Sequence, residues 1–150
     1  MHRTSFADMA CSVARTLDVV GEWWTPLILR DAFLGTTRFD EFQRSLGIAR
    51  NVLTARLQGL VEQGIFEKVR YHEHPERFGY HLTEAGRELF PIISSLIAWG
   101  DRWRAGEHGP PLLLVHAPCG HAMAATPTCS ECGEVVRLED IRPQPGPGAV

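Results

Sequence analysis

Two short amphipathic segments separated by a glycine, with an alternating basic stretch directly behind them, occupy residues 38–82 and constrain this chain more than any other feature. In Arg38-Phe39-Asp40-Glu41-Phe42-Gln43-Arg44-Ser45-Leu46 the apolar residues Phe39, Phe42 and Leu46 fall at helical spacing. Gly47 follows, a residue that tolerates the left-handed backbone in which many helices end. A second segment runs from Ala49 to Gln63, with apolar residues at Leu53, Leu57, Leu60 and Val61, and Gly64 stops it. Ile65 to Tyr71 then alternates as a strand does. Arg77 to Leu82 is its return partner, leaving His72-Glu73-His74-Pro75-Glu76 as the tip.

That order predicts a mainly α fold with a small β-wing, a winged helix-turn-helix. Such a module offers its second helix to the major groove of double-stranded DNA and lays its wing against phosphates. The outer side of the second segment carries Arg50, Asn51, Thr54 and Arg56, side chains suited to base edges and phosphates and clustered toward its N-terminal half. Lys68, Arg70 and Arg77 are the wing's candidates, and Arg38 joins the set. The chain as a whole has a formal net charge of −3. Residues 38–82 hold seven basic and six acidic side chains, so binding would rest on a focused patch and weaken steeply with salt. The competing reading is a solvated face on a domain that uses the same fold to bind protein.

The block Cys11-Ser12-Val13-Ala14-Arg15-Thr16-Leu17-Asp18-Val19-Val20-Gly21, then Trp24-Thr25-Pro26-Leu27-Ile28-Leu29-Arg30-Asp31, then Arg38 to Phe42 and Ile48 to Leu53, resembles the HxlR family of bacterial transcription regulators. The resemblance continues through Tyr80-His81-Leu82-Thr83-Glu84-Ala85-Gly86 to Trp99-Gly100-Asp101, about two thirds of the chain. It implies a homodimeric winged-helix DNA binder, joined through its terminal helices and repressing or activating nearby genes, with repression the expectation. It also bears on Cys11. A helix beginning between Asp8 and Cys11 sets this thiol at the positive end of the helix dipole with Arg15 one turn on, the electropositive setting in which reactive cysteines occur. In relatives, the resemblance implies, a cysteine here senses oxidants or electrophiles, which makes Cys11 the redox-sensing candidate. Ser12 stands where relatives often have proline, and the alternative is an unreactive small residue near an interface.

The flanking segments argue for a dimer. From Thr83, placed as an N-cap, to Trp103, apolar residues cover more than one face of a helix: Leu89, Phe90, Ile92, Ile93, Leu96, Ile97, Trp99 and Trp103. A small winged helix cannot bury all of them. Val13, Leu17 and Val20 add a second stripe, and a two-fold interface would cover both.

Residues 107–142 read as a separate module behind a domain spanning 1–106, with 143–150 as a disordered tail rich in proline and glycine. Leu112 to Val115 and Val135 to Leu138 are its strand candidates. Between them lie His116-Ala117-Pro118-Cys119-Gly120 and Cys129-Ser130-Glu131-Cys132-Gly133, each a four-residue turn that aims two soft ligands at one point, closed by glycine. Four such ligands make a closed, structural zinc site, and the module resembles a zinc ribbon with His116, Cys119, Cys129 and Cys132 as ligands. His121 competes with His116. A metal-free ribbon and a redox dithiol are the alternatives.

Catalytic signatures are missing. The cysteine pair lacks the His-x-Glu of zinc deaminases, and there is neither a Gly-x-Ser-x-Gly elbow nor a phosphate loop, so the reading is not an enzyme. No apolar run approaches the roughly 18 to 20 residues of a membrane span and no signal-peptide pattern opens the chain, which predicts a cytoplasmic protein.

Overall fold

The computed structural model describes residues 5, 6 and 8–149. The described residues up to Phe90 form one compact unit and Pro91–Ala149 a second.

In the first unit, α1 (Ser12–Val20) begins after Cys11 and α2 (Thr25–Phe33) carries Pro26 in its first turn, where a missing N–H leaves nothing unpaired. α3 (Phe39–Leu46) starts where the backbone N–H of Arg38 donates to Glu41 Oε2 at 3.3 Å, and it ends on Gly47 at φ 62°. The left-handed glycine turns the chain sharply into α4 (Arg50–Glu62). These two helices are the helix-turn-helix that the spacing predicts.

β1 (Phe66–Glu73) and β2 (Glu76–Leu82) pair antiparallel, from Phe66 opposite Leu82 to Glu73 opposite Glu76. The ladder runs nearer the tip than alternation suggests and leaves only His74 and Pro75 as the turn. A register shift between Arg70 and His72 explains the difference: a bulge disrupts the two-residue period by which a strand is recognised. A third edge joins this sheet. Arg38 bridges Gly79, and Tyr80 donates its N–H to the Thr37 carbonyl at 2.7 Å, tying the wing to the head of α3.

The core of this unit is built from Ile28 and Leu29 of α2, Phe42 of α3, Leu53 and Leu57 of α4, and Phe66 of β1, all fully buried. Phe66 lies 6.3 Å from Phe42 and 6.4 Å from Tyr80, ring centre to ring centre. Each such burial contributes about 1.5 to 3 kcal/mol, and together they fix how α4 and the wing are presented.

The single helix expected from Thr83 to Trp103 is in fact two, α5 (Glu84–Arg87) and α6 (Phe90–Arg104). Thr83 is the N-cap as expected, its Oγ1 accepting from Gly86 N at 3.1 Å while donating to the Gly64 carbonyl at 2.6 Å. Pro91 makes the break. It has no N–H for the Arg87 carbonyl and its ring crowds that carbonyl, whereas it fits the first turn of a new helix.

The second unit contains most of α6 and two small hairpins. β3 (Leu114–His116) pairs with β4 (His121–Met123), with His116 opposite His121. The other hairpin is held by one bridge between Thr128 and Val135, so the strand expected from Val135 to Leu138 is reduced to a single paired residue before a 3-10 turn at Leu138–Asp140. No helix among the described residues is long and apolar enough to cross a membrane.

Candidate nucleic-acid interface

The first two turns of α4 carry the exposed polar face. Arg50 lies with its guanidinium 4.8 Å from the Phe39 ring centre and 3.8 Å from Asp40, while 72% of its side chain stays accessible. The ring steers the cation without removing it from water. Asn51 is exposed, and its side chain makes no hydrogen bond among the described residues. Thr54 Oγ1 donates to the Arg50 carbonyl at 2.8 Å, which occupies its proton and leaves its lone pairs as acceptors. Arg50, Asn51 and Thr54 thus share one outward face.

Arg56 departs from the expectation that placed it with them. It pairs with Glu22 at 3.2 Å and is only 31% exposed, with its Nε buried and without a hydrogen-bond partner. The cause is helix geometry. At 100° per residue Arg56 lies about 200° from Thr54 but only about 40° from Leu60, next to the buried stripe.

The wing cations also divide. Strand alternation sets Lys68 and Arg70 on the face of Phe78 and Tyr80, and Arg77 on the other. Lys68 Nζ sits 4.8 Å from the Phe78 ring centre, Arg70 is 3.9 Å from Glu73, and Arg77 is exposed. Arg38 lies over the Tyr71 ring at 4.7 Å. Phe39 and Tyr71, the supports of Arg50 and Arg38, escape sequence reasoning because at helical or strand spacing an aromatic residue reads as core. Glu73 and Glu76 face each other beside the tip, so the wing's end is acidic and its cations stand nearer the base.

Cys11 is the N-cap of α1, half-buried, its carbonyl accepting from Arg15 N at 3.0 Å. In the second unit His116 Nδ1 lies 3.3 Å from Cys119 Sγ. Backbone N–H groups of Cys132 and Glu131, and the Cys132 thiol, surround Cys129 Sγ and lower its pKa. The four expected ligands therefore stand as two pairs; among the described residues no three His, Cys, Asp or Glu side chains are gathered closely enough to hold a metal ion.

A helix-turn-helix tied to a wing and preceded by α1 and α2 has a counterpart among known proteins: residues 19–108 match the HxlR-like helix-turn-helix family. The chain belongs to that family. It is 48% identical over 137 residues to the HTH-type transcriptional regulator Rv3095 of Mycobacterium tuberculosis (strain H37Rv), itself uncharacterised, covering 91% of this chain and 87% of that protein. Among solved structures, that of PA1607, described as a candidate transcription factor, superposes with a TM-score of 0.84 at 40% identity over 94% of this chain and 99% of that one. The redox regulator HypR in its reduced form gives a TM-score of 0.60 at 37% identity, over 63% of this chain and 94% of its own. The first two matches extend beyond residue 108, so they take in part of the C-terminal module of this HxlR-family chain as well as its winged helix.

Proposed function

We propose that this HxlR-family chain is a cytoplasmic, homodimeric regulator of transcription that binds an inverted-repeat operator through α4 and responds to oxidants or electrophiles through Cys11. The observation that carries the DNA-binding reading is the outward face of Arg50, Asn51 and Thr54 on the first two turns of α4, with nothing from the described residues lying across it. Arg50 supplies a fork of donors for guanine or phosphate, Asn51 a bidentate partner for adenine, and the wing cations reach phosphates. The names of the relatives, transcriptional regulators in each case, and the redox regulator HypR support the same reading.

Support for the dimer comes from α6. Ile92, Leu96, Trp99 and Trp103 recur at helical spacing and are all exposed, Leu96 at 55% and both tryptophans at 57%. A stripe this apolar is a surface for another protein, and a second copy presents the same stripe in return. Two such protomers would hold their recognition helices about 34 Å apart, one turn of duplex.

The test is a salt titration of the protein on DNA from upstream of its own gene and on random DNA of equal length. Preference for the upstream DNA, with a steep salt slope and two protomers per complex, is the expected result. A folded dimer with no preference at any salt concentration would overturn it in favour of a winged helix that binds protein.

A further inference from the structure

We infer that a cleft between the end of α2, β2 and α5 binds a small organic acid, with Arg87 and His81 holding its carboxylate. Binding of the acid stands apart from the DNA-binding reading, and only its consequence for DNA rests on that reading.

The cleft lies wholly within the first unit and measures about 340 Å³, the size of a small ligand site. Its wall divides by chemistry. Thr36, Thr37, His81 and Arg87 are polar members, and Ala32, Phe33 and Leu82 are apolar ones. No carboxylate lines it. Arg87 is the last residue of α5 and is exposed, and its side chain makes no ion pair or hydrogen bond among the described residues. Glu84 and Glu88 stand near it along the chain, yet neither pairs with it and neither lines the cleft. The guanidinium therefore keeps its full charge and its fork of N–H donors for a ligand, and that fork matches a carboxylate in two-point contact.

Room for His81 comes from a glycine. Gly79, two residues earlier in β2, is buried, and a Cβ there would stand 3.0 Å from His81 Nε2. Without that Cβ the imidazole lies back along the strand, and neither of its nitrogens is hydrogen-bonded among the described residues. The Thr36 and Thr37 hydroxyls are likewise without a hydrogen bond there, although both residues are half-buried. Arg87, His81 and the two threonines thus line one cleft with their donors unused, the small set of polar groups by which a ligand site orients an anion.

The apolar members of the wall select an acid with a hydrocarbon body over a bare inorganic anion. Phe33 is held edge-on by Phe90, ring centres 5.4 Å apart, and with Ala32 and Leu82 it offers surface that an inorganic ion would leave wet. The cleft also borders the seam between the wing and the head of α3. The Thr37 carbonyl accepts from Tyr80 N at 2.7 Å, and Arg38 bridges Gly79. An acid that fits the cleft better in one wing position than in another shifts DNA affinity by that difference, a reversible input separate from the thiol of Cys11.

Isothermal titration calorimetry of the full chain with benzoate, phenylacetate, hexanoate and octanoate tests the site without DNA. At least one acid should bind, one per chain, and its neutral amide should bind at least about tenfold more weakly. Inorganic phosphate should bind more weakly than that acid. Arg87→Ala should lose at least about tenfold in acid affinity, Arg87→Lys should recover part of it, and Arg44→Ala, an exposed change on α3 outside the cleft, should keep it. Helical circular dichroism on each variant reports that the fold is intact. With ionic strength matched, the saturating acid should shift affinity for the upstream DNA by about fivefold or more, and Arg87→Ala should abolish that response. No binding by any of the four acids at about 10 mM overturns the inference, as does acid binding unchanged in Arg87→Ala. Phosphate bound more tightly than every acid overturns it in favour of an inorganic anion or a DNA phosphate. Acid binding that leaves DNA affinity unchanged overturns the coupling, whereas loss of preference for the upstream DNA with acid binding intact overturns the DNA-binding reading and upholds the site.

Discussion

Arg56 and Glu22 form an ion pair at 3.2 Å between α4 and the α1–α2 connection, with both side chains largely withdrawn from solvent. The cleft around them also receives Asp18 and Glu62, so the guanidinium is the positive centre of an acidic pocket. Arg56→Ala is therefore expected to act on the fold, at a cost of about 1 to 3 kcal/mol for the partner groups left behind. Urea denaturation reads that loss directly. The ratio of affinities for operator and random DNA, measured on the folded variant, should stay within about twofold of wild type, within the spread of ordinary surface changes. A collapse of that ratio at unchanged stability would return Arg56 to the DNA-reading set.

Arg50→Ala and Asn51→Ala should behave in the opposite way. Each is expected to lose about 1 to 3 kcal/mol on the preferred sequence and to relax discrimination at the base it reads, with little change in the urea midpoint. Arg77→Ala should weaken all DNA alike and flatten the salt slope by about one ion. Competition binding against sequence-randomised duplexes separates the two behaviours. Equal losses on every sequence for all three would refute the division of roles.

The joint between wing and α5 is tight enough to be tested by one methyl group. Gly86 is buried, and a Cβ there would collide with the Ile65 carbonyl oxygen, which belongs to the backbone and cannot rotate away. Gly86→Ala is expected to cost about 1 to 3 kcal/mol or more by overpacking. Thr83→Ala should cost about 1 kcal/mol through the lost cap, while Thr83→Ser, which keeps the hydroxyl, should fall between it and wild type. Thermal melts of the three variants order these effects.

The helix-turn-helix was legible because local signals agreed: Phe39, Phe42 and Leu46 keep helical spacing, Gly47 supplies the left-handed stop, and Leu53, Leu57 and Leu60 mark the buried face of α4. What was less legible required a competing constraint to be weighed against the pattern. Apolar periodicity carries smoothly through residues 84–103, yet Pro91 divides that stretch, because periodicity reports faces and says nothing about a missing N–H. Arg56 reads from the sequence as part of the outer face with Arg50, Asn51 and Thr54, although its angular position sets it beside Leu60, where it pairs with Glu22. In the wing, the bulge near Tyr71 concealed two further paired positions. The tertiary supports of the interface depend on how the head of α3 is set against α4, for Phe39 under Arg50, and against β1, for Tyr71 under Arg38, and no local pattern encodes that.

Cys11 offers an unusually clean separation of chemistry from stability. It occupies an N-cap whose side chain makes no capping hydrogen bond, a position at which serine is among the best residues. Cys11→Ser should therefore leave the melting temperature unchanged or raise it, by up to about 1 kcal/mol of stability, while removing any response that needs a thiol. DNA release is followed by fluorescence anisotropy as hypochlorite, a disulfide-forming oxidant or an aldehyde is added. Release by these agents should be lost in the serine variant, and unchanged release would remove Cys11 from the mechanism.

The exposed stripe of α6 makes the last prediction the most demanding. Leu96 and Trp99 lie three residues apart, on neighbouring turns of one face, and both are more than half exposed. Leu96→Glu or Trp99→Glu places a charge where a second copy would desolvate it, and neither substitution removes a buried side chain from the monomer. Light scattering should then report a monomer at micromolar concentration with wild-type helical content. Because a dimer on an inverted repeat converts its second half-site into an intramolecular encounter, such a monomer should lose about 10²-fold or more in operator affinity while its affinity for a single half-site stays the same. A dimer that survives both substitutions would shift the interface to the other exposed stripe, Val13 and Leu17 of α1. A monomer with undiminished operator affinity would separate dimerisation from DNA recognition altogether.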